Sequence, residues 1–394
     1  MNGYEAPTHR NDPAGAAGGI LATAHRPMFL AAGLWAVVVI GWRAFGESGG
    51  PAADALGSAT LWHAHEMLFG FAGAAFAGYT LTAAPSWSHR PPAAGVRILV
   101  LVLIWIVARL ALAGLPALPL PLVATTSAGF FAWLALLLGR EAVAGRSAKG
   151  ALQAGFAALL GLADLAVLGA GADPRAAILV FALILSVIGG RMVRAFTENR
   201  VAAEHAPPMP VAERAARIGA AAILAALLAT LAGAEALSGA ALLAGAGAEA
   251  LRLALWQQAA VRHDALLLML HLGFLWLPVG LCLTGLARLG VPLFAEPDAL
   301  HALTAGAMSC LIYAVAARAV ARRAPDRLVA GWPSIAGFVL LWLAAWLRLA
   351  QGAVPELAEP AALLWIAGWT LFLIKLAPTL RGAPQRPVFS GPRA

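Results

Sequence analysis

The sequence predicts an all-α fold, a polytopic transmembrane helical bundle of about 12 spans. Hydrophobic residues make up 61% of the 394 positions and charged residues only 12%, where a soluble chain is about a quarter charged. Mean hydropathy is +0.81, more apolar surface than a wettable exterior can hide. In lipid the backbone must satisfy its own hydrogen bonds, which leaves helices or closed barrels. The apolar runs are about 20 residues long and rich in Leu, Ala and Gly, whereas barrel strands alternate over about ten. Helices remain.

Taken in order, the candidate spans cover 28–45, 61–83, 95–114, 118–138, 151–171, 175–193, 215–233, 237–256, 265–286, 299–320, 331–350 and 360–378. The seventh and eighth are the weakest, since Ala and Gly dominate them and Glu235 and Glu249 interrupt. Around this domain, 28–380, lie a polar N-terminal tail over 1–27 and a C-terminal tail over 381–394. The N-terminal tail has no apolar stretch before a small-residue cleavage site, so no signal peptide is expected. Cys282 and Cys310 both fall inside apolar runs, which argues against a structural disulfide.

Charge orients the bundle. With the N-terminus inside, only Arg43, Arg109, Arg175, Arg288 and Arg348 of the 27 Lys and Arg residues fall on the far side. Short loops obey the positive-inside rule, so both termini are expected in the cytoplasm. The far loops are acidic, with Glu47, Asp54, Asp173, Glu296, Asp298, Glu356 and Glu359. The net charge of +8 is spread over many loops and forms no stripe with aromatic platforms, so nucleic acid is not an expected partner. The lipid bilayer is.

Ionisable residues inside apolar spans are costly and default to functional hypotheses. Trp62-His63-Ala64-His65-Glu66-Met67 opens the second span. Residues two apart on a helix point in nearly opposite directions, so His63 and His65 suit two neighbouring sites better than one chelate. Helical spacing groups His63 with Glu66, Met67 and Gly70, and His65 with Phe69, Ala72 and Phe76. His301 opens the tenth span at a similar depth, and three imidazoles at one level suit haem or copper. His271 lies deeper in the ninth span and needs a partner: an Asn or Ser on another helix, or a metal. Arg191, after Gly189 and Gly190, suits a carboxylate such as a haem propionate, although basic anchors at span ends are commoner. Asp164 is a carboxylate inside the fifth span that needs a proton or a partner. The competing account is helix capping and polar packing, to which three ionisable residues in four positions are poorly suited. No phosphate loop, HExxH or haem-attaching CxxCH is present.

Together these motifs resemble the NnrS family. The matching stretches are His25-Arg26-Pro27-Met28-Phe29, Trp62 to Trp87, Gly189 to Asn199, Leu270 to Leu277 and His301 to Met308, in the expected order along most of the chain. The resemblance implies a twelve-span protein of the bacterial inner membrane that binds haem and copper and lessens damage from nitric oxide. His63, His65, His271 and His301 occupy the positions of the family's recurrent histidines and inherit the ligand role, with Arg191 at its GGR arginine. The haem would be b-type and non-covalent. The chain departs from the family pattern at Asp164 and Val167, where Asn and a following His are usual, and again around Arg322.

Two readings of function follow. In the first, nitric oxide is captured or reduced at a histidine-ligated haem, with Glu66 relaying protons and an electron donor from elsewhere. In the second, a transporter or metal exporter uses the histidines as substrate ligands. For the topology, a fluorescent protein fused after Ala394 is expected to fluoresce, and a cysteine placed at Glu356 to react with an impermeant thiol reagent on whole cells. The converse pattern would reverse the orientation.

Overall fold

The computed structural model describes residues 19–46, 56–115, 117–201, 210–256, 261–325 and 327–390. Most of the expected N-terminal tail lies outside these, as do Glu47, Asp54, His205 and residues 391–394. Eleven helices are long and apolar enough to cross a membrane: α1 (His25–Phe45), α2 (Ala59–Ser88), α4 (Leu120–Ala144), α5 (Ala148–Ala170), α6 (Pro174–Arg200), α7 (Pro210–Leu231), α8 (Glu235–Ala254), α9 (Ala265–Arg288), α10 (Glu296–Ala319), α11 (Trp332–Ala350) and α12 (Pro355–Leu380). The twelfth, α3 (Val96–Leu112), has 17 residues and rises about 25 Å, just short of a hydrocarbon layer of about 30 Å. Each of the twelve expected spans corresponds to a helix, the weak seventh and eighth included, and eleven of the twelve are long and apolar enough to cross a membrane.

The helix starts follow capping chemistry. The four free N–H groups at a helix start need acceptors. Ser58 accepts from Leu61 at the start of α2, Ser147 from Gly150 at α5, Asp173 from Arg175 at α6, and Asp264 from Leu266 and Leu267 at α9. Pro174 and Pro297 stand in first turns, where a missing N–H costs nothing.

Neighbours in sequence pack as hairpins, α4 on α5, α7 on α8, α8 on α9 and α11 on α12, while α1 closes the bundle against α2 and α12. Three helices stand at the centre. The apolar stretches of α2, α6 and α10 are 83%, 83% and 78% buried, against 33% to 44% for α1, α4, α5, α7, α8, α11 and α12. Each central helix also contains a π-helical stretch: Glu66–Ala72 in α2, Leu185–Gly189 in α6 and Ala302–Met308 in α10. Such widened turns are rare and concentrate at functional sites. Where the three meet, Ala72, Leu185, Gly189 and Met308, with Phe29 of α1, line an apolar cavity of about 70 Å³. A cavity so lined stays dry and suits a small apolar guest.

Glycine sets the closest crossings. A Cβ on Gly239 of α8 would lie 3.0 Å from the Gly285 carbonyl oxygen of α9, and one on Gly285 would lie 2.9 Å from that of Gly239. Backbones meet directly there, as small residues permit in lipid. Gly239→Val is therefore expected to lower stability by roughly 1–3 kcal/mol. Gly247→Ala, whose Cβ meets nothing within 4 Å, should leave the melting midpoint in detergent unchanged or slightly raised.

Candidate functional site

The π-helical start of α2 brings five side chains from four helices into a closed ring. His65 Nδ1 lies 2.9 Å from Glu66 Oε1, and His65 Nε2 lies 2.7 Å from Asp164 Oδ1 of α5. Ser127 Oγ of α4 donates to Asp164 Oδ2 at 2.7 Å and accepts from Arg109 of α3 at 3.0 Å. Arg109 then donates to Glu66 Oε1 at 2.5 Å, and Trp35 Nε1 of α1 donates to Glu66 Oε2 at 2.6 Å. His65, Glu66, Ser127 and Asp164 are wholly buried, and Arg109 is 4% exposed.

Proton bookkeeping follows from this geometry. Both imidazole nitrogens face carboxylate oxygens, yet a neutral imidazole donates only once. Either His65 is an imidazolium between two carboxylates, or one carboxyl holds the second proton. Both states contain the same number of protons, and with Arg109 positive both make the ring neutral. Neutrality is what burial demands, since an unbalanced charge in low dielectric costs several kcal/mol. The ring is thus a dry, charge-balanced store for one shared proton.

This corrects the grouping of Glu66 with His63. Glu66 instead hydrogen-bonds its chain neighbour His65 and is drawn into the ring by Arg109 and Trp35, which arrive from other helices. With both nitrogens engaged, His65 presents no lone pair to a metal in this arrangement. Arg109, counted above among the far-side basic residues, belongs to the buried ring. A lone arginine in the apolar run of α3 was the available signal; nothing in the sequence pairs it with Glu66, or either of them with Ser127 and Trp35.

His63 looks elsewhere. Its Nδ1 is buried without a hydrogen-bond partner, and it lies within electrostatic range of His301, Arg43 and Arg348. His301 Nδ1 donates to the Pro297 carbonyl at 2.6 Å, which fixes the tautomer and leaves Nε2 as the lone-pair nitrogen. A backbone acceptor behind the ring is how ligating histidines are commonly oriented. Each residue stands at the lip of a π-helical stretch, in α2 and α10 respectively. As a donor set, an unpartnered imidazole nitrogen within electrostatic range of a second imidazole of fixed tautomer would suit a haem held by histidines.

The remaining candidates are not brought to this pair. His271 Nε2 lies 2.9 Å from Thr197 Oγ1 of α6, its Nδ1 is buried and unpartnered, and Trp256 packs edge-on at 6.0 Å. Thr197 is the hydroxyl partner that a buried imidazole required. Arg191 is exposed at the end of α6, and Gly190 beside it makes room for Arg252 of α8, whose guanidinium a Cβ there would strike. Arg252 binds Glu249 at 3.1 Å and the Ser186 carbonyl at 2.7 Å, and the Ser186 hydroxyl donates to Glu249. That second buried network was visible in the sequence only as an interruption at Glu249. Among the described residues no group of three or more His, Cys, Asp or Glu is disposed to hold a metal ion. Cys282 and Cys310 are both free, Cys310 buried and Cys282 partly so.

Charge balance generates a test. Asp164→Asn lets His65 release its second proton and leaves the ring neutral, so the loss should be only about 1 kcal/mol. Arg109→Met leaves a buried carboxylate unbalanced and should cost about 3–5 kcal/mol. Melting followed by tryptophan fluorescence in detergent compares them; equal losses would refute the shared-proton ring.

A comparison with curated proteins returns no match. The family model described as NnrS protein, however, matches residues 19–383, an extent that takes in all twelve helices, the ring and the His63–His301 pair. On that match the chain, a multi-span helical membrane protein, belongs to the NnrS family.

Proposed function

We propose that this chain is a haem-binding protein of the bacterial inner membrane that serves the nitric-oxide response, with His63 and His301 as the histidines that hold the haem. The observation that carries the reading is the buried, unpartnered Nδ1 of His63 beside a His301 whose Nδ1 is tied to Pro297. An orphaned polar atom in a buried site calls for a partner, and family membership supplies the expectation of which one. Bound haem would contribute an iron able to take nitric oxide as a ligand.

The chain's own residues supply the surroundings. The apolar cavity among the three π-helical stretches has room for a diatomic gas but, at about 70 Å³, not for a cofactor, since sites for drug-sized ligands run to roughly 300–1,000 Å³. The orphaned nitrogen of His63 is the reason to assign haem to the histidine pair instead. Glu66 acts through the ring, holding the shared proton with His65 and Asp164 rather than meeting a ligand directly. Capture of nitric oxide needs only the haem site; reduction would also need an electron donor from another protein.

The visible spectrum of detergent-purified protein, with and without nitric oxide, tests this. A Soret band that shifts on adding the gas is expected, lost or displaced in His63→Ala and His301→Ala and retained in His65→Gln. A colourless, metal-free preparation that still protects cells fully from nitric oxide would sink the reading.

A further inference from the structure

The end of the bundle opposite His63 holds a second, polar cavity. It measures about 450 Å³ and lies among the ends of α1, α10 and α12 and the chain after α12. Its lining includes Arg26, Arg322, Arg323, Lys375 and Arg381, together with His25, and no Asp or Glu. None of these five cations forms an ion pair with a described residue. Elsewhere the buried Arg109, Arg252 and Arg288 each face a carboxylate. Here the cations do not.

The cavity is built, not merely open. Residues 381–390 fold back across the helix ends. Arg26 donates to the Gly382 carbonyl at 2.8 Å, Arg318 to that of Phe389 at 2.9 Å, and Arg323 to those of Pro387 and Ser390. Phe389 packs on Phe29 and Tyr79, with ring centres 6.4 Å and 5.5 Å away. The tail forms a wall anchored by arginines that at the same time line the space. Two further polar atoms beside this space are buried and unpaired. His25 and Arg26 are 4% and 3% exposed, and each keeps a buried nitrogen, Nδ1 and Nε respectively, without a partner. Burial also lowers the guanidinium pKa of Arg323 and of nearby Arg386, desolvation being the cause. Desolvated cations without counter-charge are stabilised by an anion.

We propose that this cavity binds a phosphate group, presented either by the head of an anionic phospholipid or by a soluble phosphorylated compound. Guanidinium forks match phosphate oxygens, and an ammonium adds a point charge. Basic pockets between helix ends on the positive side of a membrane suit anionic lipid heads, and the volume admits a head group or a small phosphate ester. The site is independent of the haem reading, since no residue is shared.

The full-length protein in neutral detergent is titrated with phosphatidylglycerol, with inorganic pyrophosphate and with phosphatidylcholine, following the melting midpoint and adducts in native mass spectrometry. A rise with phosphatidylglycerol alone assigns the lipid head; a rise with pyrophosphate as well assigns a free phosphate; phosphatidylcholine should do neither. The double variant Arg322→Gln/Lys375→Gln removes two charges that form no ion pair, so unliganded it should melt no lower than the parent. Its apparent affinity should fall roughly tenfold or more, whereas Arg217→Gln, exposed and distant in the sequence, should bind as the parent does. Absence of a response to both anions, or undiminished binding by the double variant, overturns the proposal.

Discussion

Buried charge must be balanced where it stands, and the polar interior of this protein follows from that constraint. In hydrocarbon neither water nor a distant counter-ion can screen a carboxylate, so Glu66 and Asp164 are held by Arg109 and by a proton shared with His65. The same requirement gives Glu249 its Arg252, and places Arg288 against Glu296 and Arg348 against Asp298 near the start of α10. Five helices meet at the first ring, because Trp35 of α1 completes the coordination of Glu66. Its members therefore fix how α1 to α5 sit together, beyond any packing preference of Leu and Ala.

The π-helical stretches translate this balance into a site. A widened turn re-aims the side chains that follow it, and Glu66, at the start of one, meets His65 and Arg109 while His63 keeps a buried nitrogen without a partner. Three such stretches around one apolar cavity give the molecule a dry centre, flanked by a proton-holding ring and an imidazole pair. The cavity is too small for a cofactor and suited to a gas. Apolar cavity, charge-balanced ring and imidazole pair are thus distinct regions of one bundle.

Much of the architecture was legible in the residues, and so were the positions of chemical interest. Runs of apolar residues located every span, including the Ala- and Gly-rich α7 and α8, because lipid leaves a backbone no alternative to the helix. The histidines and Asp164 stood out as costly residues in those runs. What one-dimensional spacing missed was partnership. Arg109 and Ser127 lie 43 and 61 positions from Glu66, a separation at which helical periodicity says nothing, and the break in register at Glu66 cannot be read from a sequence that is helical on both sides of it. The expected kinship of Glu66 with His63 gave way to its bonds with His65, Arg109 and Trp35 for the first reason, and Arg191 is an exposed residue beside the gap filled by Arg252.

The sequence by itself determined the solvent, the number and order of the helices, and which residues are too polar to be idle, since each is a local consequence of transfer between water and lipid. It also bore the motifs of the NnrS family. Tertiary structure alone decided which charges neutralise one another, that His65 spends both nitrogens on carboxylates while His63 keeps one free, and that the tail after α12 returns to wall a basic cavity. Those outcomes depend on which helix faces stand next to each other, and electrostatic pairing in a low-dielectric interior is a property of distance in space, not of distance along the chain.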